Sequence, residues 1–232
     1  MPKCDFSYKH YREMLKKALK DGFVISNFRD YEKNKKVPKL IILRHDVDYS
    51  PKRALEIARI EASLKIKSTF FVRVHGEHYH PFDRESYPIF KEILKMGHEM
   101  GLHYEAKTLS RIFQNNAIVL FRKEKKILED IFEIKIESAA EHADLNRQDK
   151  YWINHMFRHI TKSQGGIKHH TYEKEFQECY LTDSCGKWNK GCLCKNLGQN
   201  HLQLLTHPDL WGKGALIEVR EKIRKIGLKP TY

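Results

Sequence analysis

The sequence predicts an α/β fold built on a parallel sheet or barrel, and three observations carry that prediction. Apolar runs of strand length alternate with stretches of helical periodicity. Asp, His or Glu residues stand at the ends of those runs, one strand after another. No stretch approaches the length of a membrane span.

The elements follow in order. Tyr8 to Lys20 has helical spacing through Tyr11, Leu15 and Leu19, closed by Asp21-Gly22. Phe23-Val24-Ile25 is a short strand, and a charged loop runs from Asp30 to Pro38. Lys39 to Leu43 is a buried strand. Pro51 suits a first helical turn, and Ala54, Ile57, Ala58 and Ile60 or Glu61 give that helix a buried face. Ser68 to Val74 is the next strand, followed by a His-rich loop. Tyr87 to Met96 is a helix stopped by Gly97, and Glu99 to His103 is a strand. Leu109 to Phe132 is helical, Ile134 to Ala140 extended, and Asp149 to His159 helical. Glu178–Thr182 and Leu202–Thr206 are strands, and Leu216 to Ile226 is the last helix.

Chemistry-bearing residues gather at one topological position. His45, Asp46 and Asp48 follow the first confident strand, His75 and His78 the second, His103 and Glu105 the third, and His142 the fourth. Asp183 and His207 follow later strands. In parallel α/β folds ligands bind at that edge of the sheet. Asp and His without a matching thiolate set suit zinc or another divalent ion, which with an open position acidifies water and polarises a carbonyl. A carboxylate off the metal can take a proton and an opposing histidine can give one.

At 232 residues the chain has the size of one domain, and 12 Phe, 11 Tyr and 3 Trp exclude global disorder. Its net charge of +13 favours anionic partners, such as a phosphorylated or lipid-diphosphate sugar. The basic residues are scattered and carry no nucleic-acid motif, so no nucleic-acid partner is expected. Met1-Pro2-Lys3-Cys4-Asp5 lacks the apolar core of a signal peptide, and a soluble, cytoplasmic protein is expected. Four of the five cysteines, Cys179, Cys185, Cys192 and Cys194, fall close together. Their spacings match no paired zinc knuckle, and free thiols are expected in preference to a structural zinc.

Five segments occur in a telling order: Arg44-His45-Asp46-Val47-Asp48; Ser68-Thr69-Phe70-Phe71-Val72; Gly97-His98-Glu99-Met100-Gly101-Leu102-His103; Thr182-Asp183-Ser184 with Trp188; and Leu205-Thr206-His207-Pro208. Over roughly residues 39–210 the chain resembles the polysaccharide deacetylase family with its NodB-type catalytic domain. It is most similar to the branch with an HDVD first motif, which includes WbmS-like proteins of surface-polysaccharide gene clusters. The resemblance implies one catalytic domain over 1–232, folded as a distorted (β/α) barrel. It implies metal-dependent removal of acetyl from an N-acetylated sugar or glycan precursor. Carried over, Asp46 is the base and Asp48 the metal ligand, or the reverse, since Val47 separates two residues that are often adjacent. His103 is a second ligand and His98 a turn residue. The family's next ligand falls at Lys107, which cannot serve when charged, so His142, Glu105 or a water takes its place. His207 is the acid for the leaving amine, and Leu205 lines the acetyl pocket. Asp183, Trp188 and Arg44 serve substrate binding and orientation. Two alternatives stand beside this reading: a degenerate domain that binds glycan without hydrolysis, and a metal-dependent hydrolase of another C–N amide bond.

Overall fold

The computed structural model describes residues 4–105, 110, 113, 114, 116–142, 161–215, 217–219 and 221. Lys107, the expected helix at 149–159 and most of the expected last helix lie outside them. The strands are β1 (Val24–Ser26), β2 (Leu40–Val47), β3 (Thr69–Val72), β4 (Glu99–Tyr104), β5 (Ser138–Glu141), β6 (His169–His170), β7 (Tyr180–Thr182) and β8 (His201–Thr206). Every pairing is parallel, in the order β6-β5-β4-β3-β2-β8-β7. β1 pairs with Leu40–Ile42, which β8 also pairs, so β1 lies on the β3 edge of β2, where β3 takes over from Arg44 onward. The sheet curls into the expected distorted (β/α) barrel. Across its interior the Gln203 side chain donates to the carbonyls of Phe176 (3.0 Å) and Thr171 (3.3 Å), tying β8 to the segment after β6.

Among the described residues four longer helices accompany the strands: α1 (Tyr8–Lys20), α2 (Pro51–Ser63), α3 (Ser86–Lys95) and α4 (Ala117–Phe132). Their starts are written locally. Ser7, Ser50 and Asn116 each accept a hydrogen bond from an amide of the first turn, and Pro51 opens α2 without losing a needed donor. Gly97, with φ +91°, ends the α3 turn in the left-handed region. No helix among the described residues is long and apolar enough to cross a membrane.

Two strand boundaries correct the sequence reading. β2 does not stop at Leu43 but runs to Val47, because Arg44–Val47 find partners in Thr69–Val72. Asp46 therefore stands on the strand and only Asp48 beyond it. β6 was not foreseen: two histidines have no strand-forming pattern of their own, and the ladder to Ser138 and Ala139 makes them extended.

Side-chain alternation along β2 separates two cores. Leu40 and Ile42 join Phe28, Phe71, Ala140 and Phe176 inside the barrel. Ile41, Leu43 and Val47 point outward into the larger core under the helices. Arg44, Asp46 and Asp48 continue the inward row toward the mouth. His45 falls on the outward row and meets Glu61 of α2. Gly101 of β4 faces inward where no side chain fits: a Cβ there would lie 2.8 Å from Ser138 Oγ and inside the contact distance of the Phe71 ring. Gly101→Ala is expected to cost about 1–3 kcal/mol, read as a lower urea midpoint with an unchanged m-value.

Candidate active site

The inward row of β2 supplies the floor and two acids. The Arg44 guanidinium is buried among Phe71, Tyr172 and Tyr180, 5.7–5.9 Å from the ring centres, and its Nη2 lies 3.5 Å from Asp46 Oδ2. Burial works against its charge, but Asp46, Tyr180 and Tyr172 outweigh that and hold its pKa above the ordinary value. Arg44 is 1% exposed, which places it beneath Asp46 as a counter-charge. The Asp48 and Tyr49 amides donate to Asp209 Oδ2 at 3.2 and 3.1 Å, fixing the turn that carries Asp48. Burial, and then the Asp48 charge, push Asp209 up to about 6.

Two imidazoles converge on Asp48. From β4, His103 Nδ1 donates to the Ala140 carbonyl at 3.1 Å, which turns its Nε2 toward Asp48 Oδ1, 3.3 Å away. From the end of β5, His142 Nε2 lies 3.5 Å from the same oxygen, its ring edge-on to His103. Glu105 stands behind His142, 3.1 Å from Nδ1, and is paired with Arg73. A carboxylate behind an imidazole fixes its tautomer and raises the basicity of the forward nitrogen. Burial would raise the Asp48 pKa, but His142, His103 and His207 outweigh it and hold the carboxyl well below the usual range.

The donor set fits a divalent ion. One atom each from Asp48, His103 and His142 lies within 4.8 Å of the other two. Asp48 Oδ1 is buried and accepts no well-formed hydrogen bond, and neither does Asp46 Oδ1 beside it. Such oxygens are costly unless something else neutralises them. Two imidazoles and one carboxylate are three ligands of the type that leave coordination positions open.

The opposite wall holds His207, after β8. Its Nδ1 donates to Asp183 Oδ1 at 2.7 Å, and its Nε2 faces the acids, 4.0 Å from Asp48 Oδ2. Asp183 is fully buried and also accepts from the His207 amide (3.0 Å) and Trp211 Nε1 (2.7 Å). Burial disfavours the imidazolium, yet Asp183, Asp48 and Asp46 outweigh it and lift His207 to about 10.

The structure thus brings together Asp46, Asp48, His103, His142 and His207, with Arg44 below and Asp183 behind. Leu205, paired with Arg44 and Thr182, lies on the same inward face. Trp188 stacks on Phe6 and meets Trp211 edge-on, one residue removed from Asp183. Glu105 stands behind His142. His98 is a core residue, bonded to the Ser68 amide and the Ala58 carbonyl. His75 pairs with Glu124 of α4. Sequence reasoning missed Asp209, and read Arg73 only as part of a 73–80 loop that could contribute to substrate binding. Both stand at the same strand ends that marked the others, Arg73 just after β3 and Asp209 just after Thr206-His207-Pro208.

No protein-family profile and no curated protein matches the sequence. The solved structures to which the chain is similar include a polysaccharide deacetylase, a chitin deacetylase and IcaB. The polysaccharide deacetylase Bc1974 from Bacillus cereus is 13% identical, with 83% of this chain and 90% of that chain covered and a TM-score of 0.47. The chitin deacetylase of the fungal pathogen Colletotrichum lindemuthianum is 14% identical, over 90% and 88%, at 0.44. IcaB from Ammonifex degensii is 17% identical, over 68% and 72%, at 0.43. Likenesses this distant carry no argument about chemistry, which rests on the geometry above.

Proposed function

We propose that this protein is a metal-dependent deacetylase of the polysaccharide deacetylase type, which hydrolyses the N-acetyl group of a sugar destined for a surface polysaccharide. The observation that carries the reading is the three-ligand group Asp48, His103 and His142, flanked by a free carboxylate, Asp46, and by an opposing imidazole, His207, backed by Asp183. A divalent ion held by those three, zinc in the first instance, would acidify a water and polarise the acetyl carbonyl.

The chain's own residues do the rest. Asp46 takes the proton from the attacking water as the new C–O bond forms. Arg44, with Nη2 3.5 Å from Asp46 Oδ2, lies beneath it as a counter-charge and orients it. His207 delivers a proton from Nε2 to the sugar nitrogen as the C–N bond breaks, releasing acetate and a free amine. Asp183 keeps that ring turned toward the nitrogen. Leu205 gives the acetyl methyl an apolar wall.

The test is acetate release from a panel of N-acetylated amino sugars. Chelation should abolish it and zinc should restore it, whereas undiminished activity after exhaustive chelation would refute the reading. Sugar binding without acetate release would point to a glycan-binding domain, and turnover of cyclic amides alone to another C–N hydrolase. Asp183→Asn should lower kcat by about 10²–10³-fold with KM and metal content unchanged; an equal rise in KM would mean Asp183 merely supports the fold.

A further inference from the structure

A second group of metal-type ligands lies away from the candidate active site. Cys4, His10, Cys192 and Cys194 each offer one atom within 4.8 Å of the other three. Cys4 and Cys194 have their sulfurs 3.3 Å apart, and His10 Nε2 is 3.3 Å from Cys192 Sγ. A tetrahedron with Zn–S bonds of 2.3 Å has sulfur–sulfur edges of about 3.8 Å, so small movements make the four atoms its corners.

We propose that Cys4, His10, Cys192 and Cys194 form a structural zinc site that fastens the N-terminal segment and α1 to the loop after β7. Zinc is the cation named because three thiolates and one imidazole form a soft, closed, four-coordinate set, the type used structurally, whereas catalytic sites keep a position open.

Sequence distance hid this set. Cys192 and Cys194 are two of the clustered cysteines, but Cys179 and Cys185 do not join them; Cys185 is exposed. The missing ligands come from more than 180 residues upstream. The surroundings are those of a built site. The Ser7 hydroxyl accepts from the His10 amide and so sets the first turn of α1. Lys17 Nζ donates to the Cys194 carbonyl at 2.8 Å, and Asn196 Nδ2 ties together the Gly191 and Cys192 carbonyls. Three thiolates around a dication leave one negative charge; Lys17 and Lys195 line the cavity beside the group, together with Glu13. A cavity of about 280 Å³, lined by Cys4, His10, Met14 and Cys194 among others, opens beside the group and gives an ion a way in.

The site also has a consequence for the candidate active site. The segment it would fasten carries Phe6, whose carbonyl accepts from the Gly212 amide and whose ring packs on Trp188 and Trp211. Trp211 donates to Asp183, which holds His207. The zinc would thus steady the wall behind His207 from outside the barrel. The proposal uses a separate ligand set and does not depend on the deacetylase reading.

Cobalt substitution tests it in the full chain. The wild-type protein should show a thiolate-to-cobalt charge-transfer band and tetrahedral d–d bands of high intensity. Asp48→Ala should keep both, because Asp48 and its two histidines supply no thiolate. Cys192→Ser/Cys194→Ser should lose them. In case that variant fails to fold, alkylation of the wild-type protein gives an independent reading. With zinc bound, three of the five cysteines should resist the reagent and become reactive when a strong chelator is added. A cobalt spectrum without thiolate bands, five cysteines equally reactive with and without zinc, or a Cys4–Cys194 disulfide in freshly purified protein would overturn the proposal.

Discussion

Asp48→Ala is expected to lower the proposed deacetylation by about 10³-fold or more and to abolish binding of the metal that Asp48, His103 and His142 would hold. The backbone should stay in place, because the turn is fixed by the Asp48 amide and not by its side chain. Asp46→Asn should also abolish turnover but keep the metal, because Asp46 lies beside His103 at 3.8 Å while Asp48 is central to both imidazoles. Metal content and initial rate, measured on both variants, separate the roles. The opposite pattern, with metal lost in Asp46→Asn and kept in Asp48→Ala, would exchange base and ligand. Full activity in Asp48→Ala would remove Asp48 from the mechanism altogether.

The largest effect on stability is expected at Glu61, far from any substrate. This carboxylate on α2 is fully buried. It accepts from Tyr11 Oη (2.5 Å) and Ser68 Oγ (2.5 Å) and bonds His45 Nε2 (2.9 Å); the other ring nitrogen, His45 Nδ1, bonds Thr206 Oγ1 (2.8 Å). Glu61→Ala strands these polar partners in a dry core and should cost about 3–5 kcal/mol, a fall in Tm of about 10 °C or more for a chain this long. Glu61→Gln retains one acceptor and should lose less. The network also gives a pH dependence. Burial would raise the Glu61 pKa, but His45, His98 and Ser68 outweigh it and hold the folded value below the ordinary one. A depressed folded pKa means stability that is complete above the unfolded value of about 4.3 and lost as pH falls through the folded value. Thermal melts should therefore show the gap between wild type and Glu61→Ala narrowing below that pH. A gap that is the same at pH 7 and at pH 3 would show that Glu61 contributes packing alone.

The sequence made the inward acids visible because Asp46 and Asp48 interrupt an otherwise apolar strand neighbourhood, where packing alone has no use for them. His103, near the end of β4, and His142 and His207, each just after a strand, were legible by the same reasoning. His45 shows the limit of that reasoning. It sits next to Asp46 in sequence, yet strand alternation turns it to the opposite face and into the Glu61 network. Glu61 itself looked like one more position of an amphipathic helix face, since nothing local distinguishes a solvated carboxylate from a buried one. Arg73 and Asp209 act through partners supplied by other loops. The Cys4–His10–Cys192–Cys194 group is the extreme case: its two halves stand at opposite ends of the chain, and only the packing of α1 against the loop after β7 brings them together.

The alternation along β2 has one more consequence, for how this strand can change over time. Leu40 and Ile42 fill the barrel while Arg44, Asp46 and Asp48 crown it, and all five share one parity. Substitutions test these positions one at a time, but a single-residue insertion or deletion inside the strand shifts every later side chain to the other face. It would push the acids into the helix-side core and turn His45 and Val47 to the mouth. The strand is thus open to gradual tuning and closed to changes of length. Drift in this region is expected to accumulate in the charged loop before Leu40 and to leave the spacing from Leu40 to Asp48 unaltered.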